Sequence, residues 1–123
     1  MAQRTILIVD DSPTVREIVK DALSEVGYNV VEAADGEEGY NKALEIVPDL
    51  ILLDLTMPKR DGIDVCADLR NSPEMKNIKI IILTQRDSEF DQMVGKEVGA
   101  DKYLPKPFDS ETLIGEIREL LVD

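Results

Sequence analysis

The sequence predicts an α/β fold, a doubly wound parallel sheet with helices on both faces. Three observations lead there. Short apolar runs alternate with amphipathic helical stretches five times along the chain. The middle run, Leu50-Ile51-Leu52-Leu53, is apolar throughout, as a parallel strand covered on both faces requires. Finally, Asp10, Asp11, Asp54, Thr84 and Lys106 stand where successive runs stop, which is where ligands bind in open parallel sheets.

The elements follow in order. Arg4-Thr5-Ile6-Leu7-Ile8-Val9 is a β-branched apolar strand, and Ser12-Pro13 then supplies a helix cap followed by proline at the first helical position. Val15, Ile18, Val19, Ala22, Leu23 and Val26 form one helix face, and Gly27 stops it. Asn29 to Ala33 is the second strand, Asp35-Gly36 a turn, and Glu37 to Val47 a helix ended by Pro48. The third strand, Leu50 to Leu53, runs into Asp54, and after the loop Thr56 to Gly62 a third helix extends to about Asn71, with Asp61 as its cap. Ile78 to Leu83 is the fourth strand, ending at Thr84. A fourth helix is expected over 88–98 with Gly99 after it, then a brief strand Lys102-Tyr103-Leu104 and a last helix over 109–121. No linker or low-complexity tract interrupts the series, so the expectation is one domain over residues 1–123.

Composition narrows the function. Twenty-six acidic against fourteen basic side chains give a net charge of −12, which opposes attraction to nucleic acid or an acidic membrane. No apolar run approaches the roughly 20 residues of a membrane helix and the N-terminus lacks a signal-peptide pattern, so a cytoplasmic setting is expected. The lone Cys66 excludes an intrachain disulfide and a thiolate metal cage, and it is expected in the core of a helix. The chain has no histidine, so any phosphohistidine must come from another molecule.

Taken singly, each strand-end residue has an ordinary reading: Asp10-Asp11 as a solvated turn, Asp54 as a turn residue, Thr84 as a strand-end hydroxyl, Lys106 as a loop cation. Jointly they occupy one sheet edge, and carboxylates about 5 Å apart repel by on the order of 3 kcal/mol per pair at an effective dielectric of about 20. A divalent cation relieves that repulsion. All-oxygen ligands suit Mg²⁺ or Mn²⁺, and the absence of histidine argues against zinc.

The segments ILIVDDS, LLDLTMPKRDG, IIILT and KYLPKPF resemble those that define receiver domains of two-component response regulators, and the resemblance spans the whole chain. It implies a flavodoxin-like fold with strand order 2-1-3-4-5. It further implies that Asp54 takes a phosphoryl group from a sensor histidine kinase or phosphotransfer protein. Asp11, Asp54 and the backbone carbonyl of Thr56 would ligate Mg²⁺ directly, with Asp10 acting mainly through water. Lys106 would supply a fixed positive charge and Thr84 a hydroxyl drawn toward the phosphoryl group. Its movement would be coupled to Tyr103, switching a surface of fourth helix, fifth strand and last helix toward a downstream protein or effector domain. The Lys106-Pro107 bond resembles the family's cis peptide. The chain would catalyse only its own phosphorylation and dephosphorylation, either as a single-domain relay or as the receiver part of a longer protein. Partner docking is expected around Pro13, Thr14, Ile18, Pro107 and Phe108; Ile18 and Phe108 read equally well as core.

Two positions depart from the common pattern. Gln85 stands where the family usually has a small residue, and Thr56 borders the path of water attack, so altered dephosphorylation is expected. Other classes fit less well. A haloacid-dehalogenase-type phosphatase needs a second aspartate where this chain has Thr56, and a flavin-binding flavodoxin needs a phosphate cradle where this chain has Asp10-Asp11-Ser12-Pro13. A phosphorylation-independent interaction module remains the alternative.

Overall fold

Each of the five runs becomes a strand: β1 (Thr5–Val9), β2 (Asn29–Ala33), β3 (Leu50–Leu53), β4 (Lys79–Thr84) and β5 (Lys102–Pro105). The helices are α1 (Pro13–Glu25), α2 (Gly36–Ile46), α3 (Gly62–Arg70) and, after β5, α4 (Ser110–Leu120). These assignments come from a computed structural model that describes residues 3–55, 57, 61–85, 93–94 and 96–122. Of the helix expected over 88–98, the described residues Met93, Val94, Lys96 and Glu97 are helical and Val98 lies in the turn that follows; the rest falls outside the described residues.

All pairings are parallel and the sheet order is β2-β1-β3-β4-β5. Strand alternation divides the core into two layers. Leu7 and Val9 of β1 join Ile51, Leu53, Ile80 and Ile82 under Ala43 of α2 and Val65, Cys66 and Leu69 of α3. Ile6 and Ile8 point the other way, with Leu50, Leu52, Ile81 and Leu83, against Val19 and Leu23 of α1 and Leu113 and Ile117 of α4. Every residue of β3 is buried, as its uniform sequence requires. Cys66 packs in α3 as expected, where burial pushes its thiol up to about 11 and its Sγ donates to the Val98 carbonyl at 3.4 Å.

Helix starts are set by four side-chain caps. Ser12, Asp35, Asp61 and Asp109 accept the backbone N–H of Val15, Glu38, Asp64 and Thr112 at 3.3, 2.8, 3.0 and 2.7 Å. Asp35 is therefore a cap with Gly36 opening the helix, rather than a separate turn. A short 3₁₀ turn, Pro73–Met75, occupies a stretch with no periodic signal.

The end of α2 carries strain. Val47 adopts the left-handed conformation with φ 45°, and a β-branched residue there costs about 1–2 kcal/mol. Pro48 forbids helical continuation from this position, and the chain turns at Val47 to bring Asp49 back to β1, where its carboxylate accepts the Thr5 N–H at 2.8 Å. Since Val47 is half exposed, little packing opposes a change, and Val47→Asn is expected to stabilise the fold by about 1 kcal/mol. An unchanged or lowered denaturant midpoint would show that the valine side chain compensates its backbone.

Candidate functional site

The strand ends place the site residues by backbone hydrogen bonds that extend the ladder one step. Asp10 follows β1 and its N–H donates to the Ala33 carbonyl at 3.1 Å; Asp54 follows β3 and donates to Val9 at 3.0 Å; Lys106 follows β5 and donates to Thr84 at 2.8 Å. The ends of β1, β3 and β5 thus come together at one edge of the sheet. A cleft of about 460 Å³ opens there, lined by Asp10, Asp11, Ser12, Val15, Asp54, Thr84, Gln85 and Lys106. All five strand-end residues singled out from the sequence line it.

Their environments differ. Asp10 and Thr84 are each 1% exposed and Asp54 7%, whereas Asp11 lies in the open. The Lys106 ammonium sits 2.6 Å from Asp10 Oδ2 and 3.5 Å from Asp54 Oδ2, so one cation serves two buried carboxylates. Asp10 Oδ1 accepts the Ser12 N–H at 2.9 Å. Both oxygens of Asp10 are therefore engaged, while Asp11 makes no hydrogen bond or ion pair with any described residue. One oxygen from each of Asp10, Asp11 and Asp54 can be chosen so that all three lie within 4.8 Å of one another. This all-oxygen set, open to water on the Asp11 side, fits a hard divalent cation that keeps part of its hydration. The Lys106-Pro107 peptide is cis. The expected carbonyl ligand, Thr56, lies outside the described residues.

Two supporting residues escaped the sequence reading. Gly62 opens α3 against the chain that leaves β3: its N–H donates to the Leu55 carbonyl at 3.0 Å, and a Cβ there would collide with the Asp54 carbonyl oxygen and lie 2.9 Å from Leu55 Cα. Arg16 of α1 reaches back to the Asp10 carbonyl with Nη1 at 2.6 Å, and its Nε donates to Glu32 Oε1 at 3.3 Å. A signal for Arg16 existed: a cation only four residues past a helix cap opposes the helix dipole, so something else must hold it there.

Tyr103 pairs in register with Ile82 of β4, is half-buried and packs against the α2/α3 layer of the core. Next to it, Lys102 ties β5 to α4 through Glu116 at 2.6 Å and Glu119 at 3.0 Å. The docking residues separate. A second, mainly apolar groove of about 480 Å³ is lined by Val15, Ile18, Val19, Gln85, Lys106, Pro107 and Phe108 and shares Val15, Gln85 and Lys106 with the acidic cleft. Ile18 is 56% exposed and so not core, whereas Phe108 is half-buried against the α1/α4 layer. Pro13 and Thr14 are exposed and do not line the groove.

Comparison with known proteins agrees in both sequence and shape. A family model described as a response regulator receiver domain matches residues 6–118. The alkaline phosphatase synthesis transcriptional regulatory protein PhoP of Bacillus subtilis (strain 168) is 42% identical over 118 residues, which are 96% of this chain and 48% of that protein; the chain spans about half the length of this relative. Protein PilG of Pseudomonas aeruginosa is 37% identical over 113 residues, 92% of this chain and 84% of that protein. Among solved structures, the chemotaxis protein CheY4 of Vibrio cholerae superposes with a TM-score of 0.93 at 37% identity, covering 98% of this chain and 100% of that one.

Proposed function

From a chain that belongs to the response regulator receiver domain family, with three carboxylates and one ammonium gathered at its strand ends, we infer a phosphoacceptor whose acceptor atom is a carboxylate oxygen of Asp54. The observation that carries this reading is Lys106 placed between Asp10 and Asp54. A carboxylate attacks phosphorus only if the negative charge meeting at that point is offset, and a fixed ammonium 3.5 Å away begins that offset before any phosphate arrives. The residues 1–123 act as one receiver domain.

Asp54 Oδ attacks the phosphorus of a phosphohistidine, the P–N bond breaks as the P–O bond forms, and the donor imidazole leaves. The donor lies outside these 123 residues, which contain no histidine, and a sensor histidine kinase or phosphotransfer protein supplies it. Asp11 and Asp54 would hold Mg²⁺, with Asp10 acting through water and, by the family resemblance, the backbone carbonyl of Thr56 as a further ligand. When bound, the cation neutralises the equatorial oxygens of the transferring group, the main source of catalysis in such transfers. Lys106 supplies the second positive charge, and the Thr84 hydroxyl donates to a phosphoryl oxygen. Phosphorylation adds about −2 charge, and the movement of Thr84 with Tyr103 favours one state of the fourth-helix, β5 and α4 surface, which a downstream protein or effector domain reads. The chain turns over no external substrate, works in the cytoplasm and makes no direct contact with nucleic acid; among the described residues no helix is long and apolar enough to cross a membrane.

The test is intact mass after incubation with acetyl phosphate, with and without Mg²⁺, for the parent and Asp54→Asn. One Mg²⁺-dependent phosphoryl addition, absent from the variant, is expected. No addition under any condition sinks the reading and leaves the phosphorylation-independent interaction module. Gln85 borders both the acidic cleft and the apolar groove, and its side chain is bulkier than the small residue the family usually has there, which limits water access to the phosphoryl group in this reading. Gln85→Ala is expected to shorten the phosphate lifetime several-fold, followed as decay of the phosphorylated mass; an equal or longer lifetime removes that role. Thr56→Asn alters the lifetime as well.

A further inference from the structure

We propose that Arg16 is a positioning residue for the acidic pocket: its guanidinium, bonded to the Asp10 carbonyl and braced by Glu32, fixes the peptide that carries Asp11 and so sets how tightly the pocket holds a divalent cation. The proposal rests on the reading of the pocket given above. Among the three carboxylates, Asp54 and Asp10 are held by burial and by Lys106, and Asp10 also by the Ser12 N–H. Asp11 has no such support; it is exposed and its carboxylate contacts no described partner. Its position therefore depends on its backbone alone.

That backbone is held from one side by Arg16. The peptide between Asp10 and Asp11 is planar, so anchoring its carbonyl fixes the direction in which the chain delivers Asp11. Nη1 of Arg16 reaches this carbonyl at 2.6 Å, a short charge-assisted bond, and its side chain is only 16% exposed. Glu32 at the end of β2 sets the angle of the fork by taking Nε at 3.3 Å. Glu32 is in turn tied down by Lys20 at 3.6 Å and by the Lys42 ammonium, which donates to the Glu32 carbonyl at 2.5 Å. The brace thus runs from α2 through β2 to α1 and ends on the turn that presents Asp11. Groups one step behind metal ligands commonly change metal affinity about 10- to 100-fold when removed.

Electrostatics and positioning predict opposite signs, which makes the role measurable. Removing a cation beside three carboxylates strengthens the pull on Mg²⁺ if charge alone matters; releasing the Asp11 turn weakens it if position matters. Glu32 pairs with the guanidinium at 3.3 Å and offsets part of its charge, so position is expected to win.

The experiment is calorimetric titration of the intact chain with MgCl₂ for the parent, Arg16→Lys and Arg16→Gln, with far-UV circular dichroism to verify folding and acetyl phosphate labelling at saturating Mg²⁺. Arg16→Gln is expected to bind Mg²⁺ about 10-fold more weakly, with labelling of Asp54 restored at saturating Mg²⁺. Arg16→Lys, which keeps one bond but loses the fork, should fall between. A folded Arg16→Gln that binds Mg²⁺ as tightly as the parent, or more tightly, overturns the proposal, as does a parent that binds no Mg²⁺. If Arg16→Gln does not fold, Arg16→Lys decides: weaker binding supports the role and parental affinity overturns it. A parent that binds Mg²⁺ yet accepts no phosphoryl group refutes the phosphoacceptor reading while the titrations still decide the role of Arg16.

Discussion

Gly62→Ala is expected to destabilise the fold by about 2 kcal/mol and to slow labelling of Asp54 at least 10-fold. The ordinary effect of this change runs the other way, since alanine in a helix is favoured over glycine by about 1 kcal/mol. At Gly62 the sign reverses because the added methyl meets the backbone of the strand exit: the Asp54 carbonyl carbon at 3.0 Å, Leu55 Cα at 2.9 Å and, closer still, the Asp54 carbonyl oxygen. Backbone cannot rotate away as a side chain can. Relief requires α3 to lift or the peptide after Asp54 to turn, and either displaces the Asp54 carboxylate from Lys106. Gly115, inside α4, provides the control. A Cβ there meets nothing within 4 Å, so Gly115→Ala should gain about 1 kcal/mol. Thermal unfolding of the two variants is expected to shift by about 8 °C downward for Gly62→Ala and about 4 °C upward for Gly115→Ala. An upward shift in both would mean that the close approach at Gly62 is relieved without cost.

The parts legible in the sequence were those with local causes. The apolar run Leu50 to Leu53 ending in Asp54 announced both a buried central strand and its site residue, because a parallel strand has no polar face to blur the pattern. Ser12, Asp61 and Asp109 marked helix starts since a cap acts within three residues of itself. Strand order was a different matter. Parallel neighbours are joined by crossovers, nothing near β1 says that β3 rather than β4 lies beside it, and the order came from resemblance to a family. Side chains acting across elements were harder again. Lys106 was read as a cation for the pocket, but its 2.6 Å approach to Asp10 rather than to Asp54 depends on where two loops end. Arg16 was not singled out because its partners, the Asp10 carbonyl just after β1 and a carboxylate of β2, are 6 and 16 positions away. Gly62 looked like an ordinary loop glycine for the same reason, its neighbour being the backbone leaving β3.

The second large effect is expected at Lys106→Met, which keeps the length and apolar stem of the side chain and deletes its charge. Asp10 is 1% exposed and loses the ammonium that sits 2.6 Å from it. Breaking a buried pair from one side costs about 3–5 kcal/mol, and because this cleft is open to water the lower end applies, near 3 kcal/mol. Exposure decides the size. Lys20 also pairs with a glutamate, Glu32 at 3.6 Å, but its side chain is 51% exposed, and Lys20→Met should change stability by no more than about 0.5 kcal/mol. The deficit at Lys106 is also conditional. The carboxylates left behind have oxygens within 4.8 Å of one another, and a divalent cation binding only the folded state returns stability in proportion to the logarithm of its concentration over its dissociation constant. MgCl₂ should therefore raise the melting temperature of Lys106→Met more than that of the parent, while phosphoryl transfer stays impaired because one of two positive charges on the transferring group is gone. A variant as stable as the parent without Mg²⁺ would show that Asp10 does not depend on Lys106. A variant that is destabilised but unmoved by Mg²⁺ would place cation binding outside the three carboxylates, and with it the chemistry assigned to Asp54.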